Sequence, residues 1–158
     1  MELTKHIAKH FRDVFFGGNW TDVNLKDTLS DINREQAIKK IDSFNTIAGL
    51  VFHIDYFVDA VLKVLQGGLL DAHDKYSFDL PPLIEEAEWE ELKNKLFFDA
   101  EVFAGLVEKL PEHKLWEDFT DPKYGSYYKN IHGIIEHTHY HLGQIVLIKK
   151  ILLKPDSD

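Results

Sequence analysis

Three of the nine histidines of this 158-residue chain fall within five consecutive positions, in Glu136-His137-Thr138-His139-Tyr140-His141. Neutral imidazole is the commonest protein ligand for borderline metal ions, so the first chemistry to consider here is metal binding. On a helix, residues four apart share a face: His137 and His141 can present their rings to one ion, while His139 is turned roughly 160–200° from each. On a strand all three would share a face. The apolar positions from Tyr127 to Leu153 recur at three- and four-residue steps without proline, which favours the helix. Ile134, Gln144 and Ile148 lie on the same face as His137 and His141, so that face turns inward. A buried imidazole pair needs a metal, a hydrogen-bond network or internal water, because unsatisfied polar groups are costly to bury.

Spacing alone does not make a site. His6 and His10 repeat it, but their face continues to Asp13, which reads as a solvated pair. A zinc-like site takes three or four protein ligands. The best third candidate is His53, which shares its face with Leu50, Phe57 and Ala60 near the middle of another helix; the alternative is a core histidine bonded to backbone or tyrosine. Three neutral imidazoles would leave coordination positions open for water or substrate, as in a catalytic site reached through a cleft that the 69–80 loop would border. A closed structural site would recruit Asp55, Asp59 or His73 as a fourth ligand. Gln144, one turn past His141, is placed to hydrogen-bond a ligand or substrate, and Gly143 is expected to allow close helix approach. His73, His113 and His132 have no spacing partner and read as surface residues. Only Glu136 and His139 have the spacing of a carboxylate-bridged di-iron bundle, and they point away from the isoleucine face. No His-Glu-x-x-His, nucleophile-elbow, phosphate-loop or dinucleotide fingerprint occurs.

Four amphipathic segments must position these residues. The first carries Leu3, Ile7, Phe11, Val14 and Phe15 and stops at Gly17-Gly18. The second is expected from about Arg34 to Gln66, opened by the capping-box spacing of Asn33 and Gln36 and stopped by Gly67-Gly68. The third spans roughly Glu85 to Leu110, its acidic run suiting a helix start. The fourth runs from about Ser126 to Leu153, before Pro155. This pattern predicts an all-α chain, a helical bundle in one domain over residues 1–158. The connection from Gly67 to Ile84 is long for a bundle. About 17 extended residues can retrace a helix of about 45 Å, which would let the second and third helices run parallel.

Composition narrows the classes further. Lys plus Arg number 18 against 27 Asp plus Glu, a net charge of −9, which opposes direct nucleic-acid binding. With no cysteine there is no disulfide, thiolate site or cysteine nucleophile. No apolar run approaches the roughly 20 residues of a membrane span, and the first residues lack a signal-peptide pattern. A cytoplasmic protein is the expectation.

His53 on a long helix, together with the run Glu136-His137-Thr138-His139-Tyr140-His141-Leu142-Gly143-Gln144-Ile145, resembles the DinB/YfiT-like superfamily of metalloenzymes. The likeness covers most of the chain, including the Trp20 region after the first helix and the Gly-Gly after the second; the His-x-x-x-His-x-Gly-Gln-Ile run is its specific part. The resemblance implies a four-helix bundle of up-down-down-up connectivity. It also implies a divalent ion, nickel or zinc, on His53, His137 and His141, and a homodimer acting on a small-molecule substrate. The activity implied is transfer or isomerisation dependent on a low-molecular-weight thiol, with metal-dependent hydrolysis or non-catalytic metal binding in a stress response as alternatives. The ion would act as a Lewis acid or lower the pKa of a bound water or thiol. His139 departs from the small or acidic residue expected there. Trp116, Tyr127 and Tyr128, expected to be exposed, are candidate dimer contacts.

Overall fold

The computed structural model describes residues 2–153, so the expected stop at Pro155 lies outside the described residues. The chain is all-helical: α1 Leu3–Phe16, α2 Leu25–Leu29, α3 Arg34–Ala37, α4 Ile47–Leu65, α5 Glu86–Lys109 and α6 Tyr127–Leu152, with single 3₁₀ turns at Asp74–Tyr76, Glu112–Trp116 and Pro122–Tyr124. Among the described residues there is no strand beyond an isolated bridge between Asp118 and Ser126.

Most helix ends follow from local chemistry. α1 stops where Gly17 takes φ 109°, a backbone region that favours glycine. α5 opens on a capping box: Glu88 accepts from the Glu85 N–H while the Glu85 side chain accepts from the backbone of Glu88. α6 opens on Ser126, whose hydroxyl accepts from the Lys129 N–H.

The expected helix from Arg34 to Gln66 does not form as one piece. Asn33 and Gln36 do make their capping box, but α3 ends at Ala37, and residues 38–46 form an irregular link in which Asp42 takes φ 44°. Thr46 then caps α4 by accepting from the Gly49 N–H at 3.0 Å. The apolar period through Ile38 and Ile41 continues because both pack against the core from the link rather than from a helix. The short α2, capped by Asn24 accepting from the Asp27 N–H, is an addition to the four expected segments.

The long helices pack through specific pairs. Phe11 stacks on Phe103 with centroids 4.4 Å apart, and Arg12 spans Glu101 and Glu108, while the Leu3 N–H reaches Glu112 and Phe16 meets Phe97. Early residues of α1 thus meet late residues of α5 and beyond, so the two run antiparallel. α4 and α6 are antiparallel by the same reasoning: Leu50 shares a cleft with Leu147 and Ile148, His53 meets His141, and Phe57 meets His137. The segment after α4 returns to its beginning, where Phe78, Leu80 and Pro81 line a shallow cleft with Thr46, Ala48 and Gly49. α5 therefore starts at the same end as α4. At mid-height, Lys95 of α5 bonds both Asp55 of α4, at 2.5 Å, and Asp99, at 2.6 Å.

The core, built on Phe11, Phe15, Leu25, Ile54, Trp89, Leu96, Phe103 and Ile131, fills the space among these helices. Trp89 is fully buried and its indole N–H donates to the Ile32 carbonyl at 2.7 Å, fastening the segment before α3 to α5. Tyr127 and Tyr128, expected to be exposed, are half-buried against this core, and the exposed Trp116 stacks on Tyr128. No described helix is long and apolar enough to cross a membrane.

Candidate metal centre

α4 and α6 bring His53, His137 and His141 together. His137 Nε2 lies 2.9 Å from His53 Nε2 and 3.1 Å from His141 Nε2, and all three ring nitrogens fall within 4.8 Å of one another. Three nitrogens about 2.0–2.1 Å from a common ion would stand about 3.3–3.4 Å apart at tetrahedral angles and about 2.9 Å apart at right angles. The two close separations fall at or near this range, so the three histidines can hold a metal ion.

Hydrogen bonding supports the same reading. His141 Nδ1–H donates to Gln144 Oε1 at 2.7 Å, which leaves the His141 Nε2 lone pair facing the other two rings. With His141 so fixed, a proton on His137 Nε2 or on His53 Nε2 can satisfy one of the two close contacts but not both; a cation among them satisfies both. The far nitrogens of His53 and His137, both Nδ1, are buried without a well-formed partner, although the Ser77 backbone lies near enough to His53 to favour its proton. Removing the Gln144 acceptor should loosen the tautomer of His141. The Gln144→Leu variant is expected to bind divalent metal about 10- to 100-fold more weakly, the usual effect of losing such a partner. A competition titration against a chromogenic chelator measures this, and unchanged affinity would remove Gln144 from the site.

Aromatic rings enclose the cluster. Phe78 stacks on His53 at 4.1 Å, Phe57 sets its edge against His53 at 5.1 Å and His137 at 5.0 Å, and Tyr140 meets His141 at 4.9 Å. Of these, Phe57 shares the face of His53 in the sequence. Phe78 comes from the loop after α4 and carries no sequence signal.

No family model, curated protein or solved structure matches this chain.

The remaining candidates fall elsewhere. Asp55 and Asp59 are taken by Lys95 and Lys63, and His73 is exposed beside Asp71. Among the described residues the group therefore has three members and no fourth. His139 points away as expected, its ring 6.3 Å from that of His10. His6 and His10 are exposed. His132 is half-buried against Tyr128 rather than on the open surface, because the tyrosine ring folds over it at 4.3 Å. Gly143 is exposed and an added Cβ there would meet nothing within 4 Å, so it mediates no close helix approach.

A cavity of about 690 Å³ adjoins the cluster and reaches His137. Phe57, Val61, Leu70, Phe119 and Ile134 form its apolar walls, and the 70–75 loop borders it as the sequence suggested. Its volume suits a small molecule.

Burial pushes all three site histidines below the ordinary imidazole value. His137 falls to about 4, through burial first and then the proximity of His141 and His53. His53 is lowered by burial and by His141; for His141 burial is partly offset by the bond to Gln144. At neutral pH the rings are therefore uncharged, the state a metal requires. Asp55 goes the other way, raised to about 6 by burial against the opposing pull of Lys95.

These shifts make stability depend on pH with opposite signs. The unfolded chain protonates each histidine before the folded one does, so stability falls as pH drops below 6.5 and, for His137, on toward about 4. Between about 6 and 3.8 the folded state protonates Asp55 first, which partly offsets the loss. Chelator-treated protein is expected to show a lower denaturant midpoint at about pH 5 than at about pH 7, with a larger drop in Asp55→Asn. A midpoint that rises on acidification would contradict this balance.

Proposed function

We propose that the chain is a divalent-metal-dependent enzyme of the DinB-like kind, with His53, His137 and His141 as the ligands and nickel or zinc as the ion. The observation that carries the proposal is the convergence of three uncharged Nε2 atoms beside an open, mostly apolar cavity. The antiparallel pairs α1/α5 and α4/α6, with α4 and α5 starting at one end, support a four-helix bundle of up-down-down-up connectivity. The helical His-x-x-x-His-x-Gly-Gln run supports the family reading.

A bound ion supplies Lewis acidity and lowers the pKa of a thiol or water brought to it. The residues of the chain do the rest. Gln144 holds the Nδ1 proton of His141, Phe57 and Phe78 keep solvent from the rings, and the cavity walls place a second reactant against the His137 side of the cluster. The reaction class we favour is transfer of a low-molecular-weight thiol to an electrophile: a C–S bond forms, the leaving group departs with its electron pair, and the thiol proton passes to solvent. The chain has no cysteine, so the sulfur must arrive as a cosubstrate. Metal-dependent hydrolysis in a cytoplasmic small-molecule enzyme is the second reading, and the open cavity favours either over a closed structural site. A homodimer would find an apolar strip on α6 in the exposed side chains of Tyr140, Leu147 and Ile151.

The test is to incubate zinc- or nickel-loaded protein with a panel of cellular thiols and a haloalkyl bimane reporter. A fluorescent adduct that depends on metal is expected. Metal retention without adduct for any thiol would move the reading to hydrolysis or to metal binding without catalysis.

A further inference from the structure

One face of α6 carries Lys129, Gly133 and His137 at four-residue steps, and all three line the cavity beside the histidine cluster. Each step is about 6 Å along the helix, so the first and last of these backbone positions are about 12 Å apart. Their chemistry differs in a way that packing does not explain. Gly133 lies in mid-helix, where glycine costs about 1 kcal/mol relative to alanine, yet an added Cβ would meet nothing within 4 Å. Neither close helix packing nor a positive φ calls for glycine there. Its effect is to leave the space between Lys129 and His137 open.

Lys129 is exposed and has no carboxylate partner among the described residues, in a chain of net charge −9. Its side chain lies over Gly125, with Nζ 3.6 Å from where a Cβ on that glycine would stand, so the ammonium points away from the histidines. Lys75, on the loop after α4, also lines the cavity, lacks a carboxylate partner among the described residues and rests over the Tyr76 ring. Asp74, the acidic group of the lining, precedes Lys75 in the same 3₁₀ turn. The cavity thus carries Lys129 at the end remote from His137, apolar walls along its middle and the histidine cluster at the other end.

We infer that the site takes an elongated small molecule with an apolar body and an anionic group at the end remote from the reacting atom, the anion held by Lys129 and the body lying over Gly133. This rests on the proposed metal site for the reacting end, but the anion and body subsites are built from other residues and can be tested apart from it. A carboxylate is the chemistry that one lysine at a solvent-open mouth suits; a phosphate monoester shares it.

Decanoate, decyl phosphate and decanol serve as probes, titrated calorimetrically into the full chain. Each titration is run with zinc bound and again after chelator treatment, because a carboxylate can also ligate zinc directly. Decanoate is expected to bind metal-free protein at least 5-fold more tightly than decanol, and Lys129→Met to erase that difference while leaving decanol binding unchanged. Decyl phosphate binding tighter than decanoate, with the same dependence on Lys129, would identify a phosphate as the preferred anion. Gly133→Leu should weaken all three probes at least 10-fold with metal content and thermal stability retained, so a folding defect is distinguishable from a filled cavity. Equal affinity for decanoate and decanol, or an unaffected Lys129→Met variant, would overturn the anion subsite; unaffected Gly133→Leu binding would overturn the cavity assignment. An unmodified protein that retains neither zinc nor nickel on dialysis, with these effects intact, would refute the metal reading and leave the subsites standing.

Discussion

Replacing His137 with alanine is expected to lower bound divalent metal from about one ion per chain to nearly none after dialysis, as measured by elemental analysis. His137 is the middle of the three: its Nε2 approaches both other nitrogens, at 2.9 and 3.1 Å. Without it, His53 and His141 remain as two ligands on different helices, too few for the three or four that hold zinc. The weakening should exceed the roughly 10- to 100-fold effect of losing an outer hydrogen-bond partner. His139→Ala provides the control, being on the same helix two residues away with its ring turned toward His10. That variant should keep its metal. Equal metal content in His137→Ala and the unmodified chain would end the metal assignment.

The second large effect belongs to the core. Trp89→Ala is expected to cost about 4–6 kcal/mol, from the cavity left by a fully buried indole and from the Ile32 carbonyl that loses its donor. Against a total stability of about 5–15 kcal/mol, that brings the chain close to unfolding at room temperature. Trp89→Phe separates the two contributions: it keeps most of the volume, so a loss of about 1–3 kcal/mol would report mainly the hydrogen bond. Urea unfolding of both variants gives the comparison. An alanine variant less than about 2 kcal/mol below the unmodified protein would show that the segment before α3 is held by something other than this ring.

The elements that sequence located best end on residues whose chemistry is local. Gly17 turning left-handed, the Glu85/Glu88 capping box and the Ser126 cap place the ends of α1, α5 and α6 within about a residue of the expectation. The merger of α3 and α4 arose because Ile38 and Ile41 keep helical spacing while serving the core from an irregular link, and because nothing in the composition signals the positive φ of Asp42. α2 escaped notice because five residues are too few to show a period.

In the candidate centre, the i,i+4 pair of His137 and His141 was readable from spacing, and His53 from its apolar face. Their meeting needed only that both lie near mid-helix. Gln144 was readable too, as a residue one turn beyond a ligand. The loop after α4 was expected at the cleft, as found, but the stacking of Phe78 on His53 was not, since that ring reaches the site through a crossover whose path depends on tertiary packing. The role of Gly133 was equally hidden: a helix glycine means close packing when a neighbour is near and open space when none is, and only the surroundings distinguish the two. Gly143 shows the same ambiguity, and there the close-packing reading failed.

The sequence separation of 84 between His53 and His137 has a kinetic consequence. His137 and His141 come near each other as soon as α6 coils, but His53 joins them only when α4 docks, after a long stretch of chain has been brought together. An ion that needs all three is bound late, after the barrier to folding if that docking is itself late. Metal would then leave the folding rate nearly unchanged and slow unfolding in proportion to the stability it adds. Stopped-flow folding and unfolding with and without zinc would show it, and an ion that speeds folding instead would place the docking of α4 on α6 among the first events.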